Sequence, residues 1–472
     1  MDMIRFKVVL IIFGLIITSC KGWVESNKIK MTDSLFERMD INVGTSTNTV
    51  LPLYLDDDNY LDLLVVGNDQ VIILHGEGDG QFNVFGYVPA GENAVDLASA
   101  DIDEDGFTDL AVANHDTKYI TLLFGNSNGS FESRSYSQMI VNVSPHPHMV
   151  KLYDLNGDEH VDLLVDDRNA EALRLFPGSG DGGFGNPNQI PVGGDPYRGI
   201  SLFDVNNDGN IDIVSPNPDR VEILTGNGSG VFTQFTTLYP GFAPFSATAG
   251  DFNGDGIMDI TAASGEGAGG LAVWFGNSDS SFGEKVNYEL ASGPTRLATG
   301  DLTNDGKDEI VVTSYIGGEI AILVAGEKSQ LERIALGGYP YGVATGDFNN
   351  DDLVDIAVAN DGTNFVTVLF SNDNSTGINK NPSLINDYSL YQNYPNPFNP
   401  STQITYSLKN YKRVTIKVFD ILGNEIVTLI DKLKEPGTYK LIFSAAELPN
   451  GVYFYQLKAG DFWETKKMIL IK

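Results

Sequence analysis

The sequence predicts an all-β protein, a seven-bladed β-propeller followed by a small Ig-like β-sandwich. Three observations predict it: a nine-residue acidic loop occurs seven times, its copies lie about fifty residues apart, and four short apolar runs separate one copy from the next. A repeat of about 40–50 residues holding four short strands makes one propeller blade, so seven repeats make seven blades.

The clearest loop is Asp101-Ile102-Asp103-Glu104-Asp105-Gly106-Phe107-Thr108-Asp109, running into Leu110-Ala111-Val112-Ala113. Carboxylates at its first, third, fifth and ninth positions suit a hard cation, because Ca²⁺ takes about six to eight oxygens at about 2.3–2.6 Å and a glycine permits the sharp reversal. The candidate ligands are Asp101, Asp103, Asp105, Asp109 and the carbonyl of Phe107. An EF-hand would need Glu at the twelfth position, where Val112 begins no helix. One such loop alone could equally be a solvated turn.

Repetition favours the cation. Further ligand sets are Asp154, Asn156, Asp158 and Asp162; Asp204, Asn206, Asp208 and Asp212; and Asp251, Asn253, Asp255 and Asp259. The last two are Asp301, Asp305 and Glu309, then Asp347, Asn349, Asp351 and Asp355. A first copy with Tyr54 in the leading place offers only a weaker set, Asp56, Asp58 and Asp62. The leading positions 54, 101, 154, 204, 251, 301 and 347 step by 47, 53, 50, 47, 50 and 46 residues. About five to seven Ca²⁺ sites are expected.

Composition narrows the class. The 472 residues carry a formal charge of −33, which excludes ordinary nucleic-acid binding because phosphate neutralisation needs basic patches. Residues 386–472 hold eleven Lys/Arg against eight Asp/Glu, or +3, so the remainder carries −33 − 3 = −36. The single cysteine, Cys20, excludes a disulfide framework and any CxxC site.

In chain order, residues 1–20 read as an export signal: Arg5 and Lys7 precede an apolar run, Val8 to Ile17, whose ten residues are too few for a bilayer about 30 Å thick. Ile17-Thr18-Ser19-Cys20 is similar to a bacterial lipobox, which would make Cys20 a lipid anchor; an ordinary signal with an incidental cysteine is the alternative. Residues 21–35 read as a tether. The seventh repeat stops after its third strand, and 36–43 resembles the missing fourth, since Phe36-Glu37-Arg38 answers Phe131-Glu132-Ser133. The propeller is therefore placed at 36–372, with 36–43 completing its last blade. A linker is expected at 373–393, and 394–472 shows five strand-like runs: 402–408, 413–419, 438–443, 451–459 and 463–471.

The repeated loop, a following strand and a Phe-Gly turn such as Phe124-Gly125 or Phe275-Gly276 resemble the FG-GAP/VCBS repeats of integrin-α-like propellers. The resemblance implies Ca²⁺ between the first and second strands of each blade. Thr303 weakens the sixth loop, and Glu159 and Asp352 stand where glycine is preferred. The run Tyr394-Pro395-Asn396-Pro397-Phe398-Asn399-Pro400, with Leu448-Pro449-Asn450-Gly451-Val452-Tyr453, resembles the type A sorting domain of type IX secretion cargo. That implies the type IX secretion machinery as partner, the outside of a Gram-negative cell as destination, and removal of the domain on the way. Such cargo normally begins with a plain signal peptide, which weighs against lipidation of Cys20.

Chain direction puts the acidic loops on one face and the loops between second and third strands on the other. Six residues before each leading position lie Asn48, Val95, His148, Arg198, Phe245, Thr295 and Tyr341, near the channel mouth of that opposite face. His115, Arg168 and Tyr315 flank them, and His115, His148, Arg198, Phe245, Tyr315 and Tyr341 form the candidate ligand face for a protein or glycan. Packing of the inner strands is the plainer explanation of the aromatic members. None of the five histidines forms HExxH, and His146-Pro147-His148 reads as a loop-shaping element. A non-enzymatic binding or adhesion module is the expected function; a polysaccharide-degrading, lyase-like enzyme is the alternative.

Overall fold

The computed structural model describes residues 27–29 and 36–471, apart from 57, 59, 197–198, 266–268, 291–292, 326–329, 373–387, 394–395, 397, 409–411, 435–436, 446–447 and 461. The expected signal, Cys20 and most of the expected linker lie outside the described residues.

Between residues 27 and 371 the described strands form seven antiparallel sheets, six of them four-stranded meanders and the seventh five-stranded, joining both ends of this segment. Their second strands are rich in apolar residues and buried along their length, Asp361 at the end of the last being half-buried: Asp62–Gly67, Asp109–Asn114, Asp162–Asp167, Asp212–Pro216, Asp259–Ser264, Glu309–Ser314 and Asp355–Asp361. Strands buried on both sides need apolar residues on both faces, which explains runs such as Leu110-Ala111-Val112-Ala113. Adjacent sheets share their cores. Leu64 and Val66 of the first sheet pack with Leu110 and Val112 of the second, and the sharing continues around the ring until Leu63 and Val65 meet Ala357 and Ala359 of the seventh.

Closure is made by the chain's ends. Phe36–Asn42 pairs antiparallel with Phe365–Ser371, from Phe36 opposite Ser371 to Asn42 opposite Phe365, and buries Met39 and Ile41. The expected tether is not wholly outside the fold, because Asn27–Ile29 adds a fifth strand by pairing with Arg38–Asp40. No alternation marks so short an edge strand.

The C-terminal region is a two-sheet sandwich. One sheet orders Ser389–Leu390, Ser401–Leu408 and Gly437–Ser444; the other orders Glu425–Lys434, Lys412–Phe419, Gly451–Ala459 and Phe462–Leu470. Ile404, Tyr406, Ile416, Tyr455 and Leu457 fill the space between them. Two strands depart from the expected boundaries. Ser389–Leu390 lies inside the expected linker, and Glu425–Lys434 had no counterpart among the expected runs, because its burial is slight and its alternation is broken by a bulge opposite Ile416 and Lys417.

The sandwich rests on the acidic-loop face. Lys467 Nζ lies 2.5 Å from Asp204 Oδ2, Lys440 Nζ lies 2.9 Å from Asp352 Oδ1, and the Asn450 amide donates to the Glu159 carbonyl at 3.2 Å. A cleft remains between the two bodies, lined by Tyr54, Leu61, Tyr153, Phe398 and Ile471 among others. Charge favours this seating, since the sandwich is the one basic part of an acidic chain.

Candidate functional site

Each acidic loop is pinned by its second and ninth residues. The second, an apolar side chain (Leu55, Ile102, Leu155, Val205, Phe252, Leu302 or Phe348), is buried. The ninth is a fully buried carboxylate that grips backbone on two sides. Asp109 accepts the Ile102 N–H at 2.8 Å with one oxygen and the Gly125 N–H at 2.7 Å with the other. Asp62, Asp162, Asp212, Asp259 and Asp355 repeat the pattern with bonds of 2.7–3.0 Å. The ninth residue therefore ties the loop to the end of the third strand.

Carbonyl crowding explains the glycine at five of these strand ends, whereas the seventh carries Ser371, whose N–H Asp355 still accepts at 2.7 Å. A Cβ on Gly125 would stand 2.1 Å from the Thr108 carbonyl oxygen, and one on Gly178 2.1 Å from that of Val161. The sixth blade breaks both rules together: Ala325 stands at the strand end and the longer Glu309 replaces the aspartate, bonding Thr303 N–H at 3.0 Å and the Thr303 hydroxyl at 3.2 Å. The fourth and sixth loop positions have positive φ, as at Glu104 (58°) and Gly106 (92°). Glu159 (74°) and Asp352 (77°) adopt the same left-handed conformation without being glycine, which costs roughly 1 kcal/mol.

The first and fifth residues hold the reversal. Asp101 accepts the N–H groups of Asp105 (3.1 Å) and Gly106 (3.0 Å), and Asp105 accepts that of Phe107 (2.9 Å). Position three distinguishes the loops. Where it is asparagine, its amide donates to a neighbouring carboxylate: Asn206 to Asp208 at 2.9 Å, Asn253 to Asp255 at 3.0 Å, Asn349 to Asp351 at 2.9 Å and Asn156 to Asp162 at 3.0 Å. Asp103 has no proton to give, and its buried Oδ1 has no hydrogen-bond partner. Asp101, Asp103 and Asp109 each bring an oxygen within 4.8 Å of the others.

Like charges gathered in this way hold on to protons. Burial first, then the neighbouring carboxylates, push Asp101 up to about 6 and Asp109 up to about 7. The same causes push Asp62 to about 7 and Asp355 and Glu309 to about 8, while Asp103 is raised by burial and by Asp105. An orphaned buried oxygen amid three converging carboxylates is the donor set a hard divalent cation fits. In the second loop Asp101, Asp103 and Asp109 would hold it. In the fourth, the Lys467 ammonium stands against Asp204 and Asn207 instead.

On the opposite face the expected ligand residues gather into two groups. Phe245, Tyr315 and Tyr341 meet: the rings of Phe245 and Tyr341 lie 6.4 Å apart and those of Tyr315 and Tyr341 5.8 Å, both edge to face. Tyr339 joins them at 5.1 Å from Tyr315, and the Arg296 guanidinium lies 5.4 Å over Tyr341. Tyr341 is 8% exposed and Tyr339 49%, so the latter presents the accessible ring. Tyr315 Oη donates to Asp361 at 2.7 Å; burial and that carboxylate push its phenol up to about 12.

His115 and His148 form the second group, joined by His146. His148 is buried, and its Nδ1 lies 2.8 Å from Asp166 Oδ2. Burial and its two neighbours push His146 down to about 4. Arg198 lies outside the described residues. Sequence reading missed Arg296, Tyr339, Asp166 and the part played by His146. Repeat register holds a signal for Asp166: four places after the ninth loop residue the other blades carry Val66, Ala113, Pro216, Ala263, Thr313 and Ala359.

Residues 55–112, 101–165, 154–215 and 204–262 match the model of the FG-GAP-like repeat, and residues 392–472 match that of the secretion system C-terminal sorting domain. No curated protein matches. Among solved structures, the chain is similar to a lectin of Agrocybe aegerita that recognises non-reducing terminal N-acetylglucosamine (17% identity, 67% of this chain and 86% of that one, TM-score 0.45). It is also similar to the hydrazine synthase of Kuenenia stuttgartiensis (11%, 74% and 98%, TM-score 0.49) and to a periplasmic gluconolactonase of Pseudomonas aeruginosa (12%, 64% and 92%, TM-score 0.45). Among the described residues no helix is long and apolar enough to cross a membrane.

Proposed function

We propose that this chain, which carries FG-GAP-like repeats and a type IX secretion sorting domain, is a calcium-stabilised binding module of a Gram-negative cell whose non-acidic propeller face takes a glycan or a protein loop. Delivery to the cell surface or extracellular space follows from the sorting domain. The observation that carries the binding reading is the aromatic group drawn from three successive blades: Phe245, then Arg296 and Tyr315, then Tyr339 and Tyr341. Flat rings backed by a guanidinium supply large contact area at little conformational cost, which suits sugar C–H faces and protein anchors alike.

A lyase-like reading draws on the Tyr315–Asp361 pair, a phenol beside a carboxylate. The direction of its pKa weighs against it, because a phenol held protonated to about pH 12 is a poor base at neutral pH. A glycan array run beside turnover assays on uronic-acid polymers tests the choice. Binding without product, weakened about tenfold or more by Tyr339→Ala, is expected. Product formation abolished by Tyr315→Phe would replace the binding reading with the enzymatic one.

A further inference from the structure

We propose that His115, His146 and His148 form a binding site for one first-row transition-metal ion, with zinc as the best fit, at the seam between the second and third blades. The site is separate from the acidic loops in both place and chemistry. His115 follows the second strand of the second blade, whereas His146 and His148 precede the first strand of the third, so the group sits on the non-acidic face.

The geometry carries the assignment. The three rings converge, with centroids 3.8 Å (His115–His146), 4.6 Å (His146–His148) and 5.1 Å (His115–His148) apart, and one nitrogen of each lies within 4.8 Å of the others. Three imidazoles around a tetrahedral zinc, at about 2.0–2.1 Å each, stand about 3.3 Å from one another, so small ring rotations close the gap. Two rings are also backed by carboxylates. Asp166 Oδ2 lies 2.8 Å from His148 Nδ1, and Asp116 Oδ1 lies 2.8 Å from His115 Nδ1. A carboxylate on Nδ1 fixes the tautomer that turns the Nε2 lone pair outward, as the outer shell of a histidine–zinc site does.

Asp166 departs from the repeat. It is a fully buried carboxylate at a register where six other blades carry uncharged residues. Its second oxygen accepts the backbone N–H groups of His148 (2.7 Å) and Met149 (3.0 Å), so one side chain fixes both the position and the ring of His148. Three protein nitrogens leave a fourth position open to water or to a ligand atom. Imidazole sets of this kind prefer zinc-class ions over Ca²⁺, which prefers oxygen.

Cobalt(II) titration of the full chain in excess Ca²⁺, which saturates the oxygen loops, tests the site. One equivalent should produce the intense visible bands of four-coordinate cobalt, and zinc should bleach them. His146→Ala should abolish the bands while leaving the Ca²⁺-dependent melt intact. Asp166→Asn should weaken cobalt affinity about 10–100-fold, and Asp103→Asn should not change it. If His146→Ala fails to fold, His115→Gln serves in its place. Faint octahedral bands only, or bands indifferent to the histidine variants, would overturn the proposal.

Discussion

The two faces of the propeller are built on opposite principles. The acidic face repeats one device seven times, with an apolar anchor at the second position and a buried carboxylate at the ninth. On the other face the described residues gather unevenly: one seam brings three histidines together, while three blades pool aromatic rings and an arginine. Repetition belongs to what holds the ring together, and singularity to the face proposed to bind a ligand. Even within the acidic face the copies differ in how their own hydrogen bonds close. Loops with asparagine at the third position satisfy their own carboxylates, and the loop with Asp103 leaves an oxygen without a partner.

Substitutions on the two faces should therefore differ in kind. The largest effect is expected of Asp109→Ala, which strands two buried backbone N–H groups at a cost of about 1–3 kcal/mol each. Denaturant unfolding would read it, and a loss below about 1 kcal/mol would show the grip to be dispensable. Next comes pH. The folded pKa values of Asp101, Asp109, Asp355 and Glu309 (about 6, 7, 8 and 8) lie above ordinary carboxylate values, so the cation-free fold prefers these groups protonated. That contribution is whole below about pH 4 and is lost as pH rises through 6–8. In chelator, melting temperature should fall across that window; with Ca²⁺ balancing the charges, it should stay nearly level.

A smaller effect with a distinctive sign is expected of Asp103→Asn. An amide there can donate to Asp105 as Asn206 does to Asp208, so stability in chelator should rise by roughly 1 kcal/mol while the gain from Ca²⁺ shrinks. Both shifts in the same direction would refute the distinction drawn between the loops. Lys467→Ala should do least, about 0.5 kcal/mol or under for the contact itself, yet it should open the fourth loop to Ca²⁺. Calorimetric titration would register the added binding.

The same division explains what could be read from the sequence. The repeated acidic loop and the pairing strand at Phe36–Asn42 were legible because each repeat restates the others and Phe36-Glu37-Arg38 mirrors Phe131-Glu132-Ser133. The loop residues were legible as a set, but the role of the ninth carboxylate was not. Spacing marks Asp109 as a ligand, but its two bonds to backbone follow from strand ends that only the fold brings together. The sequence set His115 and His148 on one face but did not show their convergence with His146, for a similar reason. His115 is some thirty residues from His146-Pro147-His148, and no local motif joins them. Glu425–Lys434 escaped because a half-exposed, bulged edge strand lacks a clean alternation.

The most direct measurement is the thermal melt of the full chain at pH 8 in excess Ca²⁺ and again in chelator. Binding to the folded state alone adds RT ln(1 + [L]/Kd), about 2.7 kcal/mol per site at a hundredfold excess, so the second loop alone should raise the melting temperature by about four degrees, and each further loop that fills should add a similar amount. Superimposable melts would mean that the acidic loops are self-satisfied turns and that the ring stands without a metal.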